Sequence, residues 1–199
     1  MPLQQLQGAL FQYHPHKPHL VAFRSPCAPA GEQAIAAGCV VLVAGLTEGP
    51  LALPFTTALA DTLAGMHCEL VQPVLSSSYL GYGTGLLTRD IEELDCLLEQ
   101  LYETHGQRNI ILMGHSTGSQ IVLAYARTGK YRTRILGGIL QGAASDREYY
   151  ATQLADLPAS LAMANEMRAA HRGHHWMPVD AYPDAPITAD RFWSLVARG

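Results

Sequence analysis

The sequence predicts an α/β domain: a mostly parallel sheet flanked by helices. Three features carry this prediction: short continuous apolar runs of strand length, apolar residues at helical spacing between them, and a glycine-flanked serine where a run meets a helix. Composition is consistent with it. The chain has 199 residues, 48% of them apolar and 15% charged, with a formal net charge of −4. Apolar content at the globular level and charge below the usual ~25% exclude a mostly disordered chain. The mild acidic balance argues against nucleic acid as a partner, because phosphate binding needs clustered Lys and Arg. At this length one domain, residues 1–199, is expected.

Residues 1–38 are rich in Pro, Gln, His and Ala and offer two short strands, near Leu10–Tyr13 and Leu20–Phe23. Between them His14, His16 and His19 are interrupted by Pro15 and Pro18, which reads as a hairpin-like loop. The core, 39–144, opens with Cys39–Ala44 (CVVLVA), a continuous apolar run typical of a parallel strand covered on both faces. Pro54–Met66 has helical apolar spacing, and Glu69–Leu75 is a second strand whose Pro73 marks an edge or an irregular end. Arg89–His105 places Ile91, Leu94, Leu98 and Leu101 on one helix face and acids on the other, and stops at Gly106. Asn109–Met113 (NIILM), a helix over Ser119–Arg127 and the strand Arg134–Leu140 complete the alternation, which implies parallel strands with right-handed crossovers. Residues 145–185 read as mainly helical, broken at Pro158 and followed by the His-rich stretch 171–176, and 186–199 hold a last helix near Ala189–Ala197.

Four cysteines, Cys27, Cys39, Cys68 and Cys96, form no CxxC pair. They signal neither a zinc site nor a disulfide framework, and nothing in the sequence asks for a metal or a cofactor. The first residues lack the basic start and apolar run of a signal peptide, and no stretch reaches the ~20 apolar residues of a membrane span. A cytoplasmic protein without membrane contact is the expectation.

The chemistry lies in Gly114-His115-Ser116-Thr117-Gly118, which follows NIILM directly and opens a helix. This is the G-x-S-x-G nucleophile elbow in its strand–turn–helix context. Side chains at the flanking positions of so tight a turn would collide, hence Gly114 and Gly118. Ser116 is then presented at the tip, and the helix N-terminus supplies the Thr117 amide and a favourable dipole for an oxyanion. A second oxyanion donor is expected from the loop after the first core strand, Ala44-Gly45-Leu46-Thr47-Glu48-Gly49, with the Leu46 amide first and Thr47 second. The ordinary reading of that loop is a βα turn.

A serine needs a general base, and the base an orienting acid, in the chain order Ser, acid, His. After Ser116 the acids include Asp146, Asp156, Glu166, Asp180, Asp184 and Asp190, and the histidines are His171, His174 and His175. Asp146, just past a strand end, suits the acid and equally a helix start at Ser145-Asp146. His174 stands for the base among three histidines whose run otherwise reads as a solvated loop. His115 points away from the nucleophile. The aromatics Tyr149, Tyr150, Trp176 and Tyr182 read as lid packing or as pocket lining.

The residues resemble those of the fungal fusarinine C esterase family of α/β-hydrolases. The resemblance rests on 114–120 (GHSTGSQ), 45–51 (GLTEGPL), 76–84 (SSSYLGYGT), 140–148 (LQGAASDRE) and 186–189 (PITA), in matching order and spacing. It implies the α/β-hydrolase fold with a helical cap, Ser116 as nucleophile, Thr117 and Leu46 as oxyanion donors, and small ester substrates such as hydroxamate siderophores. Family members continue beyond the PITA segment through two more strands that carry the acid and the histidine. On this comparison the chain is C-terminally short, lacks the last strands, and leaves an open sheet edge through which a homo-oligomer could form. Three readings stand: a serine esterase, an incomplete hydrolase remnant that binds a ligand or needs a partner chain, and an acyl transferase using the same acyl-enzyme.

Overall fold

The structure is a computed structural model that describes residues 3–28, 35–154, 156–182 and 186–197. Its centre is β3 (Gly38–Val43), the run GCVVLV, with every residue buried. β4 (Cys68–Pro73) and β5 (Ile110–His115) flank it in parallel register. Beyond β5 lies β6 (Gly137–Gln141), also parallel. On the other side β2 (Val21–Arg24) pairs antiparallel with β4, and β1 (Ala9–Gln12) antiparallel with β2. The sheet order is therefore β1-β2-β4-β3-β5-β6.

Strand alternation divides the core in two. Cys39, Val41 and Val43 of β3, with Ile110 and Leu112 of β5, face α2 (Leu87–Glu103) and α3 (Gly118–Thr128). Val40, Leu42 and Met113 point the other way, towards Ala60 and Leu63 of α1 (Thr56–Gly65). Leu94, Leu97, Leu98 and Leu101 of α2 are fully buried, the i, i+3, i+4, i+7 stripe of a helix lying on a sheet. Past α2, Gly106 adopts φ +68°, the left-handed conformation that lets the chain turn into β5.

A third core joins α4 (Asp146–Gln153), α5 (Leu157–Ala169) and α6 (Ala189–Val196) around Tyr150, Ala164, Tyr182 and Phe192. Pro158 lies in the first turn of α5, where its missing N–H costs nothing, and Asp156 caps that turn by accepting from the Ala159 amide at 3.1 Å. The helical stretch is thus broken just before Pro158, which opens the second helix. A 3-10 turn over Tyr79–Thr84 interlocks with the segment before α6: the Thr188 amide donates to the Gly83 carbonyl at 2.9 Å.

One expectation is narrowed and one corrected. Pro73 ends β4, which is an interior strand, so it marks an irregular end and not an edge; the missing N–H falls at the last rung. Two acids of α2 do not face solvent. Asp90 is 0% exposed and Glu93 1%, because the loop after β4 folds over the helix start. The Ser76 amide and hydroxyl donate to Glu93 at 2.7 and 2.5 Å, and Lys17 reaches it at 2.8 Å. β6, unlike β3, is partly open: Ile139 and Leu140 are 44% and 41% exposed.

Candidate active site

β5 and α3 meet in two residues. Ser116 has φ +50°, a left-handed conformation that costs a non-glycine residue about 1–2 kcal/mol. Thr117 follows at the start of α3. The glycines are required by contact: a Cβ on Gly114 would lie 2.5 Å from the Gly118 carbonyl oxygen, and one on Gly118 would lie 2.3 Å from that of Val43. The Ser119 hydroxyl donates to the Gly114 carbonyl at 2.9 Å, and the Ser116 amide extends the β5–β6 ladder by donating to the Gln141 carbonyl at 3.0 Å. The turn is thus held from both sides.

The loop after β3 lies directly against it. A Cβ on Gly45 would be 3.2 Å from Ser116 Cβ. Thr47 is left-handed at φ +58°, and Tyr79 of the 3-10 turn covers Gly49 and donates its amide to the Glu48 carbonyl at 3.2 Å. Among the described residues the amides of Leu46 and Thr117 donate no hydrogen bond, whereas that of Gly45 is taken by Glu48 Oε2 at 2.7 Å. A narrow cleft opens between the two turns, lined by Gly45, Glu48, Tyr82, Thr117 and Arg191 among others.

Below this cleft sits a buried polar cluster. Arg191 of α6 is 2% exposed, with its guanidinium 4.6 Å from the Tyr82 ring centroid. Burial raises the Asp90 carboxyl to about 6, with Ser77 and Arg191 offsetting part of the effect. Glu93 beside it stays ionised more easily than usual: burial works against it, but hydrogen bonds from Lys17 and Ser76 outweigh that cost. The hydroxyls of Tyr150 and Tyr182 are 2.6 Å apart, which bonds α4 to the segment before α6.

The other residues singled out from sequence are placed as follows. His115 is half-buried, its Nδ1 hydrogen-bonded to the Gln141 side chain and its Nε2 3.9 Å from Glu48 Oε1. Asp146 is buried at the first turn of α4, whose cap is Ser145, accepting from the Glu148 amide at 3.3 Å. His171, His174 and His175 are exposed, and the rings of the last two stack edge to face at 4.5 Å. No histidine is hydrogen-bonded to the Ser116 hydroxyl among the described residues, and Asp184 lies outside them. Glu48, Gln141 and Arg191 were not singled out. Glu48 offered one signal, an acid in a glycine-bounded loop at the site, and Gln141 another, its place in the segment 140–148; Arg191 offered none.

A mixed sheet in this order, with a serine on the turn from its central strands into a helix, defines an α/β-hydrolase. The chain belongs to the family described as "Protein of unknown function (DUF1749)", whose model matches residues 1–199. Among curated relatives, "Esterase AN6793" of Emericella nidulans is 29% identical over 171 residues, covering 71% of this chain and 44% of its own. "Fusarinine C esterase sidJ" of Aspergillus fumigatus is 31% identical over 132 residues, covering 55% and 37%. A solved structure titled "Siderophore hydrolase EstB from Aspergillus fumigatus" superposes with TM-score 0.73 at 28% identity, over 100% of this chain and 66% of that one. The chain therefore spans less than half the length of these two curated relatives.

Proposed function

We propose that this α/β-hydrolase chain acts on esters through Ser116. The observation that carries the reading is local: a serine held at φ +50° on a two-residue turn, with the Gly45 end of the loop after β3 against it and the amides of Leu46 and Thr117 donating no hydrogen bond among the described residues. In this reading Ser116 Oγ attacks the ester carbonyl carbon and its proton passes to a base. The carbonyl oxygen becomes an oxyanion held by the two amides. The C–O bond to the alcohol then breaks and the alcohol leaves with the proton. Water repeats the sequence on the acyl-enzyme and frees the acid. Asp146 and His174 are the acid and base that the chain itself offers. The relatives' names direct the substrate towards siderophore esters.

A second reading, a serine site that binds without turnover, is favoured by the exposed positions of His171, His174 and His175. Among the described residues the outer edge of β6 pairs with no strand, and in this reading it is where a second chain would complete the site. Intact mass after treatment with a fluorophosphonate separates the two, because such a probe reacts with an activated serine. The esterase reading expects one adduct that disappears in Ser116→Ala. No adduct on folded wild-type protein would overturn it.

A further inference from the structure

The loop after β3 contains an acid that ester hydrolysis does not call for. Glu48 reaches back so that Oε2 accepts the Gly45 amide at 2.7 Å, while Oε1 stands 3.9 Å from Nε2 of His115. His115 directly precedes Ser116, and its other ring nitrogen is hydrogen-bonded to Gln141 of β6. The backbone carbonyl of Glu48 accepts from Tyr79 at 3.2 Å. One residue thus bonds the start of the oxyanion loop and the 3-10 turn above it, and brings its second carboxylate oxygen to 3.9 Å from the residue before the serine. The loop has little else to hold it: the Glu48 amide donates to the Gly45 carbonyl at 3.2 Å, and Thr47 is left-handed.

Charge alone does not explain a carboxylate here. A negative group lining the same cleft as Thr117 disfavours a developing oxyanion there, since like charges repel. Its value has to come from geometry. An oxyanion hole works only when its donors stand in register before the reaction begins. The two amides come from loops about 70 positions apart in the chain, numbered 46 and 117, and the Glu48 side chain spans the gap between those loops.

We propose that Glu48 is a positioning residue, which ties the loop after β3 to His115 and so sets the Leu46 amide against that of Thr117. This rests on the reading of Ser116 as the nucleophile. Reach and charge are separated by three variants. Glu48→Gln keeps the length and an oxygen that accepts the Gly45 amide. Glu48→Asp keeps the charge and loses the reach, and Glu48→Ala loses both. The rate of fluorophosphonate capture by purified protein, resolved into a binding constant and a maximal rate, is the first readout. Glu48→Asp and Glu48→Ala should lower the maximal rate about tenfold or more, with binding within about twofold and Glu48→Gln within about threefold of wild type. Wild-type rates in the Asp variant, or equal losses in all three, would overturn the role.

Should wild-type Ser116 prove unreactive, the esterase reading fails but the positioning claim is still decided, by backbone amide spectra. Glu48→Asp should shift the Leu46, Ser116 and Thr117 resonances together, while Glu48→Gln leaves Thr117 in place. Shifts confined to residues 45–49 would refute the link to the elbow.

Discussion

Replacing Asp90 by Asn should stabilise the protein at neutral pH and remove one part of its pH dependence. Asp90 is 0% exposed, in the first turn of α2, and burial lifts its carboxyl from 3.8 to about 6 against the pull of Ser77, Arg191 and Arg89. An acid whose folded pKa lies above its unfolded value binds its proton more tightly when folded. Its contribution to stability is therefore intact below about pH 4 and is lost as pH rises through 6. A shift of this size corresponds to about 3 kcal/mol, fully expressed above about pH 7. Asn keeps the neutral form at every pH, so the variant should match wild type near pH 4 and exceed it by up to about 3 kcal/mol at pH 7. Urea unfolding of both proteins from pH 4 to 8 measures this directly, and the difference curve cancels the titrating groups that do not interact with Asp90. A flat difference curve, or one in which wild type gains on the variant as pH rises, would refute the account of Asp90 as a carboxylate held in an environment that disfavours its charge.

Two further outcomes follow from backbone geometry. Gly118→Ala would push a Cβ to 2.3 Å from the Val43 carbonyl oxygen, and the crowding should cost about 1–3 kcal/mol or more in thermal unfolding. Gly65→Ala at the end of α1 meets nothing within 4 Å and should be neutral or stabilising by about 1 kcal/mol, so equal effects at the two sites would be incompatible with a contact explanation. Ser116→Gly relieves the φ +50° backbone and should raise stability by about 1 kcal/mol while abolishing fluorophosphonate capture; a less stable variant would mean that the serine conformation is not strained.

What could be read without the structure was local. The run CVVLVA is apolar because it is covered on both faces, and its first five residues lie in β3. The stripe of Leu94, Leu98 and Leu101 follows the helical period and is buried in α2. The five residues 114–118 announce the elbow because Gly114 is required by contact inside the turn, with Gly118, although Gly118 is itself required by Val43 of the neighbouring strand. Periodicity and tight-turn chemistry are properties of neighbouring residues, so they survive in a one-dimensional record.

The rest depended on distances along the chain that only folding removes. Asp90 and Glu93 read as solvent-facing acids on helical spacing, yet the loop after β4 covers them, and Lys17 from the first hairpin pairs with Glu93. Arg191 lies 109 positions from Tyr82, and packing of α6 brings its guanidinium to 4.6 Å from the tyrosine ring centroid. Glu48 meets His115 only because β3 and β5 are adjacent in the sheet order. A burial pattern records which face of an element is covered but not by what. The identity of the covering residues is set by strand order and helix docking, where side chains remote in sequence come to share one enclosed volume and must satisfy each other's charge and hydrogen bonds.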